Sequence, residues 1–589
     1  MRGRDLIDVA LGRAPADRVI AGGTLVDVCT GELRPAQIAV KDGRIAAVAE
    51  SVDHARGAST EVLDVEGRWL APGLIDGHLH QYHSYLGIDQ FAEGLLRHGV
   101  TATADGFYGP GIVGGPQAVR FFKEAFERMP VRLIFLVPVI AWLQNRELGL
   151  TPAPGIAMSD MEEMLEWPGC LGLEEPPYLP VVDRDEELLD LFDATLEQRK
   201  VITGHGAGIG ARELQAYAAV GVSTDHESTE GAEALTKARA GVRQLMRQGS
   251  GCADVPEVVR AHTELGADPR AFGFCADVAS AEKLVGEGTI DHAVRVAISC
   301  GVPAPAALRM ATFNTAKAFR VGHEMGCLAP GRHADVLVLD DLDDLAIDSV
   351  LVGGRTVARQ GELVVDLPAT SYPSSFRDTV RVAAEPRAED LVVPAPEGAS
   401  EVEARVIGIT DGSLVSEERL ATLAVAGGHV AADPGRDVAH LAMIDRLGKG
   451  TGIGAGFVQG FGLREGAFGS TANSVCENLV LVGADPHDMA VAARRLVEMG
   501  GGKAVALDGE VVAAVPMQVL GLHADEPLEV VMERFEAAGQ AIRGLGCTLS
   551  NPFSTLEFCF ACGEIGDLKL SEEGLVRVRS RELVDALVQ

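Results

Sequence analysis

The sequence predicts an α/β fold in which a TIM-type (β/α)8 barrel carries a small β-sandwich domain built from both of its flanks and is followed by an additional C-terminal α+β domain. Three observations lead there. Residues 71–320 alternate short β-rich runs (LIDGHLH, TATADGF, VRLIFLV, KVITGHG, GVSTDHE, AFGFCAD) with helical stretches such as DEELLDLFDATLEQ. That rhythm extends over roughly 250 residues, the usual size of a closed barrel. Residues 19–69 (VIAGGTLVDV, QIAV, RIAAVA) and 333–366 (HADVLVLDD, SVLVGGRTVARQGELVV) alternate apolar with polar positions and break at glycines, so one sandwich assembled from both ends of the barrel accounts for both. Residues 367–400 are rich in Pro, Ser, Ala and charge, after which strand and helix patterns resume, with Asp508-Gly509 a hairpin signal. The expected domains are therefore residues 1–70 plus 325–366 (β-sandwich), 71–324 (barrel), 367–400 (linker) and 401–589 (C-terminal domain).

A chain of 589 residues exceeds what one hydrophobic core usually holds, in keeping with several domains. Its 51 Lys+Arg against 85 Asp+Glu give a net charge of -34, a field that repels polyanions, so neither nucleic acid nor an anionic membrane is an expected partner. The N-terminus MRGRDLIDVALGRAPADRVI has scattered charges and lacks the apolar core of a signal peptide, and no uncharged apolar run reaches membrane-spanning length. A cytoplasmic location is expected. The ten cysteines are dispersed, which fits reduced thiols. Cys559 and Cys562 form one C-x-x-C pair in an apolar run; a zinc ribbon needs a second pair, so packed core thiols are expected.

The chemistry sits at the ends of the strand-like runs. His78 and His80 are alternate residues after LAPGLID, and alternate residues of a strand point the same way, so both imidazoles can reach one metal. Glu175 follows CLGLE, His205 follows VITG, His226 follows GVSTD and Asp277 follows AFGFCA. Any one of these is an ordinary polar residue. Together, in this order on a βα repeat, they make a nitrogen and oxygen cage for one or two divalent cations, with Zn, Mn and Fe all compatible. His83 and Asp105 lie near the expected barrel mouth, where loops carry substrate contacts. His98, in the last turn of FAEGLLRHG, is expected to be structural. The acidic run at 340–344 is expected to be a solvated turn.

These motifs resemble the amidohydrolase superfamily and, more closely, its adenine deaminase family. PGLIDGHLH is similar to the first-strand signature, GHGAGIGARELQAYAAVGVSTDHE to the H-A-P-G to D-H-E stretch, and FCAD to the last catalytic strand. ALRMATFNTAKAF and GCLAPGRHADVLVLDDL are similar as well, and GTGIGAGFVQGFGLREGAFGSTAN and HADEPLEVV resemble the family's own extra C-terminal domain. The resemblance implies that His78, His80, Glu175, His205, His226 and Asp277 are the metal ligands, with Glu175 bridging and Glu174 its rival. It also implies a water acidified by the metal, Asp277 carrying its proton to the leaving nitrogen, and His226 or His205 polarising the attacked centre. The catalytic set is then Asp277, Glu175 and His226, and the substrate a small heterocycle.

Three segments depart from the family pattern. H-V-H-I-E-S-S becomes His78-Leu79-His80-Gln81-Tyr82-His83-Ser84; D-P-H-E becomes Asp105-Gly106-Phe107-Tyr108; and in S-T-V-A-H-D-S-H-N the His-Asp-x-His set becomes Ser474, Val475 and Glu477. Because they change together, these segments are expected to meet at one locus, with Tyr82, Phe107 and Tyr108 facing the substrate or filling the space. The expectation is a rebuilt pocket in which adenine is a poor substrate and a related heterocycle the better one.

Other motifs carry less. His262-Thr263-Glu264 matches half of the cytidine-deaminase signature, but the only C-x-x-C is about three hundred residues away and lacks the preceding Pro. The clusters at Gly204–Gly208 and Gly450–Gly454 lack the context of a phosphate cradle and are expected to be tight turns. The Gly-rich segment 450–470 is expected to bring the C-terminal domain against the barrel mouth. Hydrolytic deamination of adenine or a related N-heterocycle is the leading function. Cyclic amide or imide hydrolysis is the closest rival, since the same water opens rings, and a catalytically dead scaffold is a distant one. Homo-oligomerisation is expected from base rates alone.

Overall fold

The computed structural model describes residues 2–413, 415–558 and 566–588. Its centre is an eight-stranded sheet in chain order: β1 (Leu74–Asp76), β2 (Val100–Asp105), β3 (Arg132–Pro138), β4 (Cys170–Glu174), β5 (Val201–Gly204), β6 (Val222–Asp225), β7 (Arg243–Arg247) and β8 (Phe272–Cys275). Every neighbouring pair is parallel. The runs VTATAD of β2 and FGFC of β8 are buried along their whole length, as strands covered on both faces must be.

The barrel closes just beyond β1 and β8, where the site lies. Gly77 N donates to Phe274 O (3.1 Å), His80 N to Asp277 O (3.0 Å) and Asp277 N to His78 O (2.8 Å). A Cβ on Gly77 would lie 3.0 Å from Leu245 Cδ2 and 3.1 Å from Phe274 O, so only glycine permits this approach without a shift of its neighbours. Closure therefore locks the His-x-His segment directly to the segment bearing Asp277.

Strands from both flanks join in one nine-stranded sheet. Trp69–Pro72 pairs antiparallel with Val336–Leu339, and Ile20, Leu25, Ile38, Leu70, Val336 and Leu351 share its core. The C-terminal region contributes a second nine-stranded sheet, from Glu401–Gly408 to Glu510–Pro516, and a three-stranded sheet of Leu568–Ser571, Gly574–Arg577 and Glu582–Val584. The helices Pro486–Glu498 and Leu528–Gly544 pack on the larger sheet. Barrel residues Tyr85 and Phe107 lie in the same continuous apolar core as Leu520, Phe535 and Phe553.

At three positions the glycines of the segment expected to bring the C-terminal region against the barrel mouth face their own region. A Cβ on Gly454 would collide with Ser571 O, one on Gly460 would approach Ile409 O to 2.5 Å and one on Gly466 Ala506 O to 2.6 Å, so these glycines serve packing inside the C-terminal region. The barrel is met by other residues: Ala524 N donates to Tyr85 O (2.7 Å), His523 Nε2 lies 2.9 Å from Gln81 Oε1, and Tyr85 OH donates to Glu557 Oε2 (2.6 Å).

His98 bonds Asp291 Oδ2 (3.1 Å) and Val285 O (3.1 Å) at the barrel flank. Asp341 Oδ1 accepts from the backbone of Asp343 and Asp344 in an exposed turn. Cys559 and Cys562 lie outside the described residues. Among the described residues no helix is long and apolar enough to cross a membrane.

Candidate metal centre

His78 and His80 extend the line of β1 into the barrel mouth and, two residues apart, project to the same side. Their target is Glu175, the first residue after β4. His78 Nε2 stands 3.2 Å from Glu175 Oε2, and His80 Nε2 3.1 Å from Glu175 Oε1. His226 Nε2, after β6, and His205 Nδ1, after β5, each lie 3.4 Å from Glu175 Oε2. Asp277, after β8, places Oδ1 3.6 Å from His78 Nε2 and 3.5 Å from His80 Nε2. Glu175 therefore offers one oxygen to His80 and the other to His78, His205 and His226, the disposition of a bridging carboxylate.

Backbone conformation aims both acids. Glu175 (φ 36°) and Asp277 (φ 61°) are left-handed, which is costly for residues with a Cβ and recurs where a site over-determines its geometry. In each case the turn falls after the strand end and swings the carboxylate to the barrel axis. The arrangement fits a cation. His78 Nε2 and His226 Nε2 are buried, face carboxylates and have no hydrogen-bond partner among the described residues. Three overlapping triads, His78–His80–Glu175, His78–His226–Asp277 and Glu175–His205–His226, have their donor atoms within 4.8 Å of one another. Buried nitrogen and oxygen donors suit a divalent transition metal.

Electrostatics agree with that composition. Burial would raise the Glu175 carboxyl, but the imidazoles of His80 and His78 overcome it and hold the group well below the usual carboxylate range. Burial likewise opposes ionisation of Asp277, and His78, His226 and Arg247 hold it low. Replacing His226 by alanine is expected to lower metal affinity by more than the roughly 10–100-fold that loss of an outer partner alone costs. Metal titration of the apoprotein measures it, and unchanged affinity would remove His226 from the centre.

Glu174 faces the other way. Its Oε1 accepts from Gly106 N (2.6 Å), Oε2 has no hydrogen-bond partner among the described residues, and it clusters with His80 and Asp105 behind the main centre. Burial pushes its carboxyl up to about 8, with His80 opposing and Asp105 adding to the rise. Asp105 accepts from Gln81 N (2.8 Å) and Phe107 N (2.7 Å), and burial pushes it up to about 6. Through both carboxylate oxygens it supports the loop that follows His80.

Of the residues expected to face substrate, Tyr82, His83 and Tyr108 form one buried cluster. Tyr82 OH donates to Tyr108 OH (2.8 Å), His83 Nε2 lies 3.2 Å from Tyr108 OH, and the Tyr108 ring stands edge-on to His80 at 4.6 Å. Ser474 Oγ lies 3.1 Å from Tyr108 OH, and the Glu477 carboxyl acts electrostatically on the Tyr82 hydroxyl, so the three departing segments meet beside His80. Phe107 is the exception. Left-handed at φ 58°, it turns its ring toward Phe122 (6.1 Å) and Phe126 (6.3 Å), which makes it a core residue and not a wall of the pocket.

Two charged residues at the centre escaped sequence reasoning. Arg247 Nη1 donates to Glu227 Oε1 (2.6 Å) and lies 3.5 Å from Asp277 Oδ2; Glu227 Oε1 lies 3.1 Å from His226 Nε2. The available signal was positional, since Arg247 closes a barrel strand and Glu227 follows a ligand at the end of another.

Comparison with known proteins agrees with this geometry. The model of the amidohydrolase family matches residues 69–357, and that of the adenine deaminase C-terminal domain residues 413–582. The chain is 37% identical to the adenine deaminase of Moorella thermoacetica over 588 residues, covering 99% of this chain and 98% of that one. It is 36% identical to that of Ruegeria pomeroyi (99% and 97% covered) and 37% identical to that of Rubrobacter xylanophilus (98% and 95% covered).

Proposed function

This chain belongs to the adenine deaminase family of amidohydrolases, and from that premise we propose that it removes the exocyclic amine of adenine or a related N-heterocycle by metal-dependent hydrolysis. It is a hydrolase of C–N bonds that depends on a divalent metal. The observation that carries the reading is Glu175 offering both carboxylate oxygens to imidazoles from two strand ends and the His-x-His segment. His78, His80, Glu175, His205, His226 and Asp277 would hold one or two cations, and the donor set accepts Zn, Mn or Fe. Bound there, a divalent cation supplies the Lewis acidity that makes water a nucleophile near neutral pH.

The chain's own groups do the rest. Asp277, held ionised, takes the water's proton on a carboxylate oxygen and gives it to the departing amine, so that ammonia leaves. His226 or His205 would polarise the ring carbon under attack, and His226 is buried away from bulk water. The C-terminal region supports the loop carrying His83 and Tyr85 through Glu557, Ala524 and His523. A cytoplasmic location and a small-molecule substrate are part of the proposal, supported by the net charge of -34, which disfavours nucleic acid. Assembly as a homo-oligomer is included on the general prevalence of symmetric enzymes.

Ammonia release from aminoheterocycles and ring opening of cyclic amides by the metal-loaded protein test this. The expected outcome is a kcat/KM of about 10⁴ to 10⁸ M⁻¹s⁻¹ for at least one aminoheterocycle. Ring opening without ammonia release would replace deamination by cyclic amide hydrolysis.

A further inference from the structure

A cavity of about 1110 Å³ opens between the barrel mouth and the three-stranded C-terminal sheet, and its lining includes Tyr178, Glu227, Arg247, Asp254 and Arg579. Two of these residues, Glu227 and Arg247, reach the metal-directed side chains and have no part in the hydrolysis described above. Glu227 Oε1 stands 3.1 Å from His226 Nε2 and 3.7 Å from His205 Nδ1. Arg247 Nη1 donates to Glu227 Oε1 at 2.6 Å and Nε to Asp254 Oδ2 at 2.9 Å, while Nη1 lies 3.5 Å from Asp277 Oδ2.

The guanidinium is thus fixed by carboxylates from three segments, with side-chain exposures of 3% for Arg247 and 4% for Glu227. A pair so desolvated adds little net stability. It does present directed polar atoms at the cavity, because the bonds to Asp254 and Glu227 engage Arg247 Nε and Nη1 and Glu227 Oε1, and both residues line the cavity. A donor and an acceptor held side by side, within reach of the histidines, match the edge of a flat ring that carries an N–H next to a bare ring nitrogen.

We propose that Glu227 and Arg247 form the specificity-determining pair of the site, Glu227 accepting from an N–H of the heterocycle and Arg247 donating to a neighbouring ring nitrogen. This rests on the hydrolase reading of the site and names the substrate class: aminated heterocycles with adjacent donor and acceptor nitrogens, as in an aminopurine. An analogue lacking one of the two leaves a buried charged group unpaired, the circumstance in which polar sites reject analogues most strongly.

The test is equilibrium binding of adenine, 3-deazaadenine, 7-deazaadenine and 9-methyladenine to the metal-loaded wild type, Glu227→Gln and Arg247→Lys, with bound metal and ammonia release measured in parallel. At least one analogue should bind the wild type about 100-fold more weakly than adenine, and that penalty should shrink below about 5-fold in one of the variants while metal content stays at the wild-type level. Equal penalties in wild type and both variants would overturn the proposal, as would uniform binding of all four ligands or of none. Loss of metal from Glu227→Gln would overturn it too, by making Glu227 part of the metal centre. If the wild type discriminates in binding but releases no ammonia, deamination fails while the recognition pair stands.

Discussion

Replacing Asp277 by asparagine is expected to leave the metal bound and to lower kcat for ammonia release by about 10² to 10⁴-fold, the usual contribution of a positioned acid–base group. The substitution is mild for the fold. Asparagine tolerates the left-handed backbone at this position, and the bonds of Asp277 N to His78 O and of His80 N to Asp277 O involve no side chain. An amide oxygen still faces His78 and His80, so a weaker ligand remains. What disappears is a proton acceptor, because an amide does not take a proton near neutral pH. Metal analysis with steady-state kinetics separates the two effects, and a wild-type kcat would remove Asp277 from proton transfer.

The second large effect lies outside the metal centre. Lys503 and Glu557 form an ion pair in which both side chains are 0% exposed. Glu557 also accepts from Tyr85 OH (2.6 Å) and Ser470 Oγ (3.0 Å), and Lys503 lies 3.9 Å from the centre of the Tyr85 ring, so the pair joins the C-terminal region to a barrel loop. Burial pushes the Glu557 carboxyl up and the Lys503 ammonium down, which means each charge persists only beside the other. Glu557→Gln keeps the volume and strands a buried ammonium, at an expected cost of about 3–5 kcal/mol. Lys503→Met combined with Glu557→Gln should recover much of that loss, since no uncompensated charge remains. Urea unfolding of the three proteins measures it. A single-variant loss below about 1 kcal/mol would show that the ammonium finds water or another partner.

The barrel was legible because its rhythm repeats: each strand-like run ends in a polar residue, and a period of two fixes where His78 and His80 point. Glu175 and Glu174 are adjacent acids at a strand end, and the choice between them depends on the left-handed turn at Glu175, which no propensity foretells. Phe107 illustrates the same limit. The positive φ there sends the ring into the core, although its neighbour Tyr108 stands against His80. The glycines of 450–470 announced close backbone approach correctly, but glycine does not specify the partner, which turned out to be Ser571, Ile409 and Ala506. Arg247 and Glu227 went unseen because an arginine at a strand end looks like surface charge until the fold buries it between Asp277 and Asp254. The meeting of Tyr82, Tyr108, Ser474 and Glu477 is long-range in sequence, so only their shared departure from the family pattern hinted at it.

Anomalous diffraction from crystals of the metal-loaded protein, collected at the absorption edge of the bound metal, tests the central claim most directly. The account predicts one or two peaks at the C-terminal mouth of the barrel, with His78, His80, Glu175, His205, His226 and Asp277 supplying donor atoms at about 2.0–2.2 Å. Peaks held instead by Glu174 and Asp105, or lying away from the strand ends altogether, would contradict it.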